Sequence, residues 1–139
     1  MRISWWKIAA VLLLFYTFIA GFLVPIPYIG NLYETIRNLF FHVPMWFTQL
    51  TLITVSAIYA VGFLRQADSR LDSYSLAFAQ TGIVFGVLGL VTGAIWATYT
   101  WGAPWNNDPK QLGAAIALLI YLAYFVLRNS IIEEDKRAR

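Results

Sequence analysis

Charged side chains are scarce in this sequence. They make up 12% of its 139 residues, whereas hydrophobic residues make up 60%. A soluble domain is roughly a quarter charged, so this composition excludes a water-solvated globular domain. The basic residues form no stretch interleaved with aromatics of the kind that a nucleic-acid interface requires. We therefore expect a lipid bilayer, and no nucleic acid, as the main surroundings of the chain.

Cysteine is absent, and histidine occurs only once, as His42. Without cysteine the chain has no disulfide framework, no zinc knuckle and no thioether chemistry of its own. A single histidine without clustered carboxylates does not build a zinc site. The sequence contains no hydrolytic or redox constellation of residues either. We therefore predict that the chain is not an enzyme.

Long apolar runs dominate what is present. About 20 apolar residues, at ~1.5 Å per residue, cross the ~30 Å hydrocarbon core of a membrane. The sequence predicts an all-α fold, a polytopic membrane helix bundle that forms one domain over residues 1–139. The predicted transmembrane helices are 8–26, 43–64, 76–98 and 111–128, followed by a charged cytoplasmic tail at 129–139. A cleaved signal peptide is the alternative for the first run, but the run exceeds the roughly 7–15 apolar residues of a signal sequence and lacks an Ala-x-Ala site.

Prolines and polar residues indicate where these helices begin and end. Pro25 and Pro27 are expected to end the first helix, because proline cannot donate a backbone hydrogen bond. Residues 29–41 place apolar and polar side chains on opposite faces, which predicts a short interfacial helix lying in the membrane plane. Pro44 suits the first position of the second span.

The distribution of lysine and arginine predicts the orientation. With four spans, both termini lie on one side of the membrane, and that side holds eight of the ten basic residues. The other side holds only Arg37 and Lys110. Because cytoplasmic loops carry the excess of basic residues, both termini are predicted to be cytoplasmic. His42 and the loop between the third and fourth spans then share the outer face.

His42 is the candidate metal ligand. It lies near the start of the second span, where the helix dipole disfavours the imidazolium form. Neutral imidazole is the form that ligates metals, and one histidine suffices for an axial ligand to haem because the porphyrin supplies four donors. The alternative is an interfacial histidine that only makes local hydrogen bonds.

Residues 101–108, Trp101-Gly102-Ala-Pro-Trp105-Asn-Asn-Asp108, form a short aromatic segment that we call the tryptophan loop. A glycine and a proline between the two tryptophans predict a tight turn that holds both indoles, with Trp96 and Tyr99 adding aromatic surface. Stacked aromatic pairs contribute about 0.5–1.5 kcal/mol beyond their buried area, so several together suit a large planar ligand. The alternative is a pair of membrane-interface anchors.

Two further patterns have structural explanations as well as functional ones. Asp108, followed by Pro109 and then by Gln111, is typical of a helix N-cap whatever else Asp108 does. A glycine stripe on the third span is typical of close helix packing, with room for a ligand as the alternative; its members are Gly82, Gly86, Gly89 and Gly93. No charged residue lies in the interior of a predicted span, since Arg128 is the last residue of the fourth, which argues against an ion pathway through this chain alone.

The two motifs together resemble those of a known family. Phe41-His42-Val43-Pro44, with Trp46 soon after, and Trp101-Gly102-x-x-Trp105-x-x-Asp108 are similar to motifs of the haem-handling membrane proteins of cytochrome c maturation. These are the tryptophan-rich (WWD-type) loop proteins that include the haem exporter component CcmC. The resemblance covers roughly residues 30–128.

The resemblance implies a haem b site on the outer face of the bacterial cytoplasmic (inner) membrane. His42 would be an axial ligand of the haem iron, and the other residues implied in binding are Trp101, Gly102, Trp105 and Asp108. The implied partners are a periplasmic haem chaperone, an ATP-binding-cassette subunit and other cytochrome c maturation subunits of the membrane. The implied role is to present haem to the chaperone.

The sequence departs from the family pattern in two places. The third tryptophan of the family loop is Asn107 here. Family members look like six-span proteins whose second ligating histidine follows the tryptophan loop, so the resemblance implies a truncated four-span form or a second ligand from another chain. Two other functions remain open: a transport (permease) subunit that moves haem or another solute, and a non-haem structural subunit of a membrane complex.

Overall fold

The computed structural model of the chain describes residues 4–132. Within that range the chain forms four α-helices and one 3-10 helix, with no strand: α1 Trp5–Leu23, the 3-10 helix Gly30–Asn38, α2 Leu39–Gln66, α3 Ser69–Trp101 and α4 Pro109–Ser130. All four α-helices are long and apolar enough to cross a membrane. The predicted all-α fold with four potential spans is confirmed, while most of the predicted tail, residues 133–139, lies outside the described residues.

α2 and α3 form an antiparallel pair that contains most of the buried residues. Their close approach depends on the glycine stripe: a Cβ added at Gly82 would lie 3.0 Å from Ile53 Cδ1. At Gly86 it would lie 2.5 Å from Gln49 Nε2, closer than real side chains allow. The prediction that this stripe serves helix packing is confirmed at these two positions.

α1 lies at the periphery and contacts the start of α2. Phe41 packs against Phe18 and Phe22, with ring centroids 5.7 and 5.3 Å apart. Arg37 Nη1 donates to the Gly21 and Val24 carbonyl oxygens at 3.2 and 2.9 Å, which satisfies acceptors at the helix C-terminus. The rest of α1 exposes its apolar side chains, as expected for a helix that faces lipid.

The segment before α2 differs from the predicted interfacial helix at 29–41. Its first part forms the 3-10 helix Gly30–Asn38, which is interrupted at Tyr33, where φ is 42° and ψ is −139°. Residues 39–41 of the predicted helix belong to α2. The expectation that Pro44 begins the second helix is wrong, because α2 begins five residues earlier, at Leu39. Pro44 removes one backbone hydrogen bond there, and the extra turn is held by Phe41 packing and by Asn38, whose Nδ2 donates to Thr92 O at 2.9 Å.

Polar contacts join the helices at the end of the bundle where the chain turns from α2 into α3. Ser56 Oγ donates to the Ser75 carbonyl oxygen at 2.7 Å. Asp72 forms an ion pair with Arg128, which is only 6% exposed. Arg128 Nη1 also donates to Tyr124 Oη at 3.3 Å. These contacts join α4 to the α2–α3 pair at the end opposite His42, and we call this the closed end.

Candidate functional site

A cavity of about 730 Å³ lies at the other end of the bundle, between α2, α3 and the start of α4. Small-molecule sites commonly enclose ~300–1,000 Å³. Its apolar wall includes Leu90, Ala97 and Ala114, and its rim carries polar side chains of Asn106, Lys110 and Gln111. The cavity therefore suits a ligand with an apolar body and a polar edge.

His42 lines this cavity and is held by two hydrogen bonds. The indole Nε1–H of Trp46 donates to His42 Nε2 at 3.1 Å. His42 Nδ1 lies 3.1 Å from Thr92 Oγ1, whose hydroxyl hydrogen is donated to Leu88 O at 2.8 Å. Because an indole N–H only donates, Nε2 must be the acceptor and Nδ1 carries the proton. The ring is the neutral Nδ1–H tautomer, with its lone pair on Nε2.

Two glycines of α3 make room for the His42 and Trp46 rings. A Cβ added at Gly93 would lie 2.7 Å from His42 Cε1, and one added at Gly89 would lie 2.9 Å from Trp46 Cε2. Both glycines also line the cavity. The outer half of the glycine stripe therefore seats the two rings that form one wall of the site.

Trp96 packs on His42 without sharing its hydrogen bonds. The two ring centroids are 5.8 Å apart in an edge-to-face arrangement, and Trp46 contacts His42 in the same manner at 6.0 Å. Trp96 Nε1 donates to Thr35 Oγ1 at 3.2 Å, which ties α3 to the 3-10 helix. His42 is thus fixed between two indoles, of which only that of Trp46 is bonded to it.

The tryptophan loop is held by its own polar residues. Gln111 donates from Nε2 to Pro104 O at 2.7 Å and accepts from Asn106 N at 3.1 Å. Trp105 Nε1 donates to Asn107 Oδ1 at 2.9 Å. Asn107 also adopts a left-handed backbone, with φ 53°, which asparagine tolerates better than most residues. The residue that replaces the third tryptophan of the resembled motif thus orients Trp105.

Both ends of the loop follow helix-capping rules. Gly102 ends α3 with φ 81°, and its N–H donates to Thr98 O at 3.0 Å. Asp108 Oδ1 accepts from the backbone N–H groups of Lys110 and Gln111 at 2.7 and 3.3 Å. The predicted N-cap is confirmed.

The structure brings together some of the predicted site residues and separates others. His42, Trp101 and Asp108 line the cavity, whereas Gly102 and Trp105 are not among its lining residues. Trp101 is 73% exposed, so its ring faces outward as well as bordering the cavity. The expected contribution of Tyr99 is not seen, since its side chain is 75% exposed and lies outside the cavity lining.

Comparison with known proteins identifies the family of the chain. The family described as "Cytochrome C assembly protein" matches residues 2–138. The chain belongs to that family. Members of this family are haem-handling membrane components and not catalytic enzymes, which agrees with the prediction that the chain is not an enzyme.

Curated members of the family resemble part of the chain. A "Cytochrome c biogenesis protein CcsA" of Prochlorococcus marinus subsp. pastoris is 44% identical over 63 residues, 45% of this chain and 20% of that protein. The CcsA proteins of Carica papaya and Acorus calamus are 36% and 37% identical over 66 and 65 residues, which cover 48% and 47% of this chain and 21% and 20% of theirs. The chain thus spans about a fifth of the length of these relatives. They carry the name CcsA and not CcmC, so the finer resemblance stays a prediction.

The cavity residues of this cytochrome c assembly protein fit haem as cargo. Haem brings four nitrogen donors of its own, so it needs from this chain one nitrogen ligand, an apolar wall and polar groups for its carboxylates. His42 offers Nε2, and Lys110 offers a cation at the rim. Within residues 4–132 no group of three His, Cys, Asp or Glu side chains could hold a bare metal ion. The donor set therefore suits a metal that arrives with its own macrocycle.

Three contributors to the site were missed from the sequence. Trp46 was noted only as part of the motif, although its spacing of four from His42 places both on one helix face. Gly93 stood out only as a member of the glycine stripe, and Thr92 gave no local signal, because its role depends on contact with a residue 50 positions away in the chain. The signals in the sequence were therefore the i, i+4 spacing of His42 and Trp46 and the glycine stripe.

Proposed function

We propose that this chain binds haem b at the outer face of the bacterial cytoplasmic membrane and presents it to a periplasmic haem chaperone, as a CcmC-type component of cytochrome c maturation. One observation carries the proposal: the only histidine of the chain, in its neutral Nδ1–H tautomer with its lone pair on Nε2, lines a cavity of about 730 Å³. A protein that ligates a metal through histidine commonly fixes the other ring nitrogen with a hydrogen bond. Thr92 does that here.

The residues of the cavity have distinct roles in this proposal. His42 supplies the nitrogen ligand, and Thr92 holds the tautomer and the ring orientation. Trp101 provides an aromatic face at the cavity edge, and Lys110 pairs with a carboxylate of the cargo. Asp108 acts indirectly, because its carboxylate is engaged in capping α4 next to the rim. Trp105 lies outside the cavity lining, and Asn107 holds its indole within the tryptophan loop.

The openness of the site supports presentation and not storage. Trp101 borders the cavity and is largely exposed, and the rest of the tryptophan loop, residues 102–108, is non-helical and connects α3 to α4. A partner can therefore reach a ligand held there without entering the bundle. The distribution of basic residues supports an outer position for this tip, where a periplasmic chaperone would act. ATP-binding-cassette and other maturation subunits are the proposed membrane partners.

A transport role for this chain alone is disfavoured by the closed end. The Ser56–Ser75 hydrogen bond joins α2 to α3 and the Asp72–Arg128 ion pair joins α3 to α4 at that end, on the side of the bundle away from the cavity. If the isolated chain in vesicles moved haem across the bilayer, a permease role would replace presentation.

Two measurements test the proposal together. The chain purified from haem-supplied membranes should show a Soret band and should pass its haem to a purified periplasmic haem-binding acceptor. A reporter inserted at Ala103 should be active only outside the cell, and one fused after Arg139 only in the cytoplasm. Absence of haem from the purified chain, or reporters with the reverse activities, would refute the outer-face site.

A further inference from the structure

The hydrogen bond between Trp46 and His42 occupies the nitrogen that the proposed function needs. The Trp46 indole nitrogen lies 3.1 Å from His42 Nε2, and its hydrogen is bonded to the only lone pair in the plane of the imidazole ring. A metal ligand needs that same lone pair. The described arrangement is therefore one in which the imidazole is oriented but its donor atom is covered.

We infer that Trp46 is a displaceable cap on His42 Nε2, which satisfies the imidazole while the cavity is empty and withdraws when His42 engages haem iron. The inference rests on the proposed function, because a cap has a role only if Nε2 is a ligand. It assigns Trp46 as a positioning residue that sets the affinity for haem.

The local geometry allows Trp46 to act in this way. His42 and Trp46 are four residues apart on α2, so they lie on the same helix face. The Trp46 ring rests over Gly89, where a Cβ would come within 2.9 Å of it. Trp46 also lines the cavity. There is therefore space next to its side chain, and Gly89 has no side chain that would oppose a shift of the ring.

The Trp46 cap gives His42 Nε2 a hydrogen-bond partner whenever the nitrogen does not ligate iron. A partly buried nitrogen acceptor without a partner destabilises the fold. The Trp46 N–H satisfies it when no ligand is present, while the bond from His42 Nδ1 to Thr92 keeps Nε2 unprotonated throughout. Binding then exchanges one partner of Nε2 for another, so the cost of breaking the Trp46 bond lowers the affinity for haem.

Trp46→Phe tests the cap, because it keeps an aromatic ring over Gly89 and deletes the N–H. The variant should bind haem about fivefold more tightly than the unmodified chain, the ratio that corresponds to one net hydrogen bond. Metal-free protoporphyrin IX, which needs no nitrogen ligand, should bind both proteins equally. Trp96→Phe is the matched control: Trp96 also contacts His42 edge-to-face, but it donates to Thr35 and not to the imidazole.

A second readout examines the hydrogen bond without haem. In ¹⁵N-histidine NMR spectra of the ligand-free chain, the His42 Nε2 signal should be unprotonated and should shift in Trp46→Phe but not in Trp96→Phe. A protonated Nε2, or an unchanged signal in Trp46→Phe, would overturn the proposal.

The binding results separate this proposal from the proposed function. If the unmodified chain and Trp46→Phe bind haem equally, or if Trp46→Phe binds more weakly, the cap is wrong while the haem site stands. If Trp46→Phe changes the affinity for metal-free protoporphyrin by the same factor, Trp46 is a wall of the cavity and not a cap. If the unmodified chain binds no haem at all, the proposed function fails and the cap fails with it.

Discussion

The two ends of the α2–α3 pair use the same two helices for opposite purposes. At the closed end, Ser56 bonds to Ser75 and Asp72 pairs with Arg128, so polar groups on different helices satisfy one another. At the cavity end, His42 and Trp46 satisfy each other within α2, and α3 contributes glycines and Thr92. The closed end fixes the helices together, whereas the cavity end leaves a space of about 730 Å³ beside an oriented imidazole.

The difference shows how a small membrane protein can combine a rigid base with an open site. Polar groups in the hydrocarbon region must be paired, and the closed end pairs them between helices, which holds the bundle. At the cavity end the hydrogen bonds of His42 join α2 to itself and to α3 but not to α4, so α4 need not close over the site. The comparison therefore predicts that substitutions at the two ends have separable effects on stability and on haem binding.

The largest expected effect is on stability, at the closed end. Asp72→Asn removes the charge opposite Arg128, a partly buried pair, and should lower the free energy of unfolding by about 2 kcal/mol. Haem affinity should stay unchanged. Thermal unfolding in detergent and haem titration measure the two quantities.

Glu34→Gln is the matched control at the other end of the bundle. Glu34 also pairs with an arginine, Arg37, but its side chain is 75% exposed. Exposed pairs contribute only ~0–1 kcal/mol, so this variant should unfold close to the unmodified chain. Equal losses of stability in the two variants would remove the distinction between a fixed end and an open end.

The next effect is on binding, at the cavity end. Gly93→Ala introduces a Cβ 2.7 Å from His42 Cε1 and should displace the ring, lowering haem affinity by about tenfold, or ~1.4 kcal/mol. Gly113→Ala is the control, because nothing lies within 4 Å of its added Cβ. Comparable haem affinity in both variants would mean that the packing of the His42 ring against Gly93 does not position His42.

A smaller effect is expected from the tryptophans. Trp101→Leu, at the cavity edge, should weaken haem binding about fivefold, the scale of about 1 kcal/mol for one stacked aromatic contact. Trp105→Leu should have a smaller effect because Trp105 is outside the cavity lining. Trp6→Leu, near the opposite membrane interface, should have none. Identical haem affinities for all three variants would indicate that Trp101 and Trp105 are membrane-interface anchors and do not contact haem.

The sequence predicted the parts of this molecule that depend on local pattern. Long apolar runs gave the four helices, and the Asp108-Pro109 signal gave the start of α4. The beginning of α2 was misplaced because Pro44 is common at helix starts, and tertiary contacts of Asn38 and Phe41 add a turn before it.

The parts that depend on distant contacts were not predictable in the same way. Asp72 and Arg128 are 56 residues apart, and the sequence showed Arg128 only as the last residue of the fourth predicted span. The candidate site shows the same division. His42 and the tryptophan loop stood out as rare residues in motifs, but Thr92 and Gly93 are common residues whose roles arise only from where α3 meets α2.

The central claim is that His42 Nε2 is a nitrogen ligand for haem iron, and titration of haem into His42→Gly in nanodiscs tests it most directly. The variant should bind haem at least about tenfold more weakly, and added imidazole, entering the space left by the side chain, should restore the absorption spectrum and the affinity. Circular dichroism of the variant should remain helical, which separates ligand loss from unfolding. Haem binding by His42→Gly with the spectrum and affinity of the unmodified chain, without imidazole, would contradict the account.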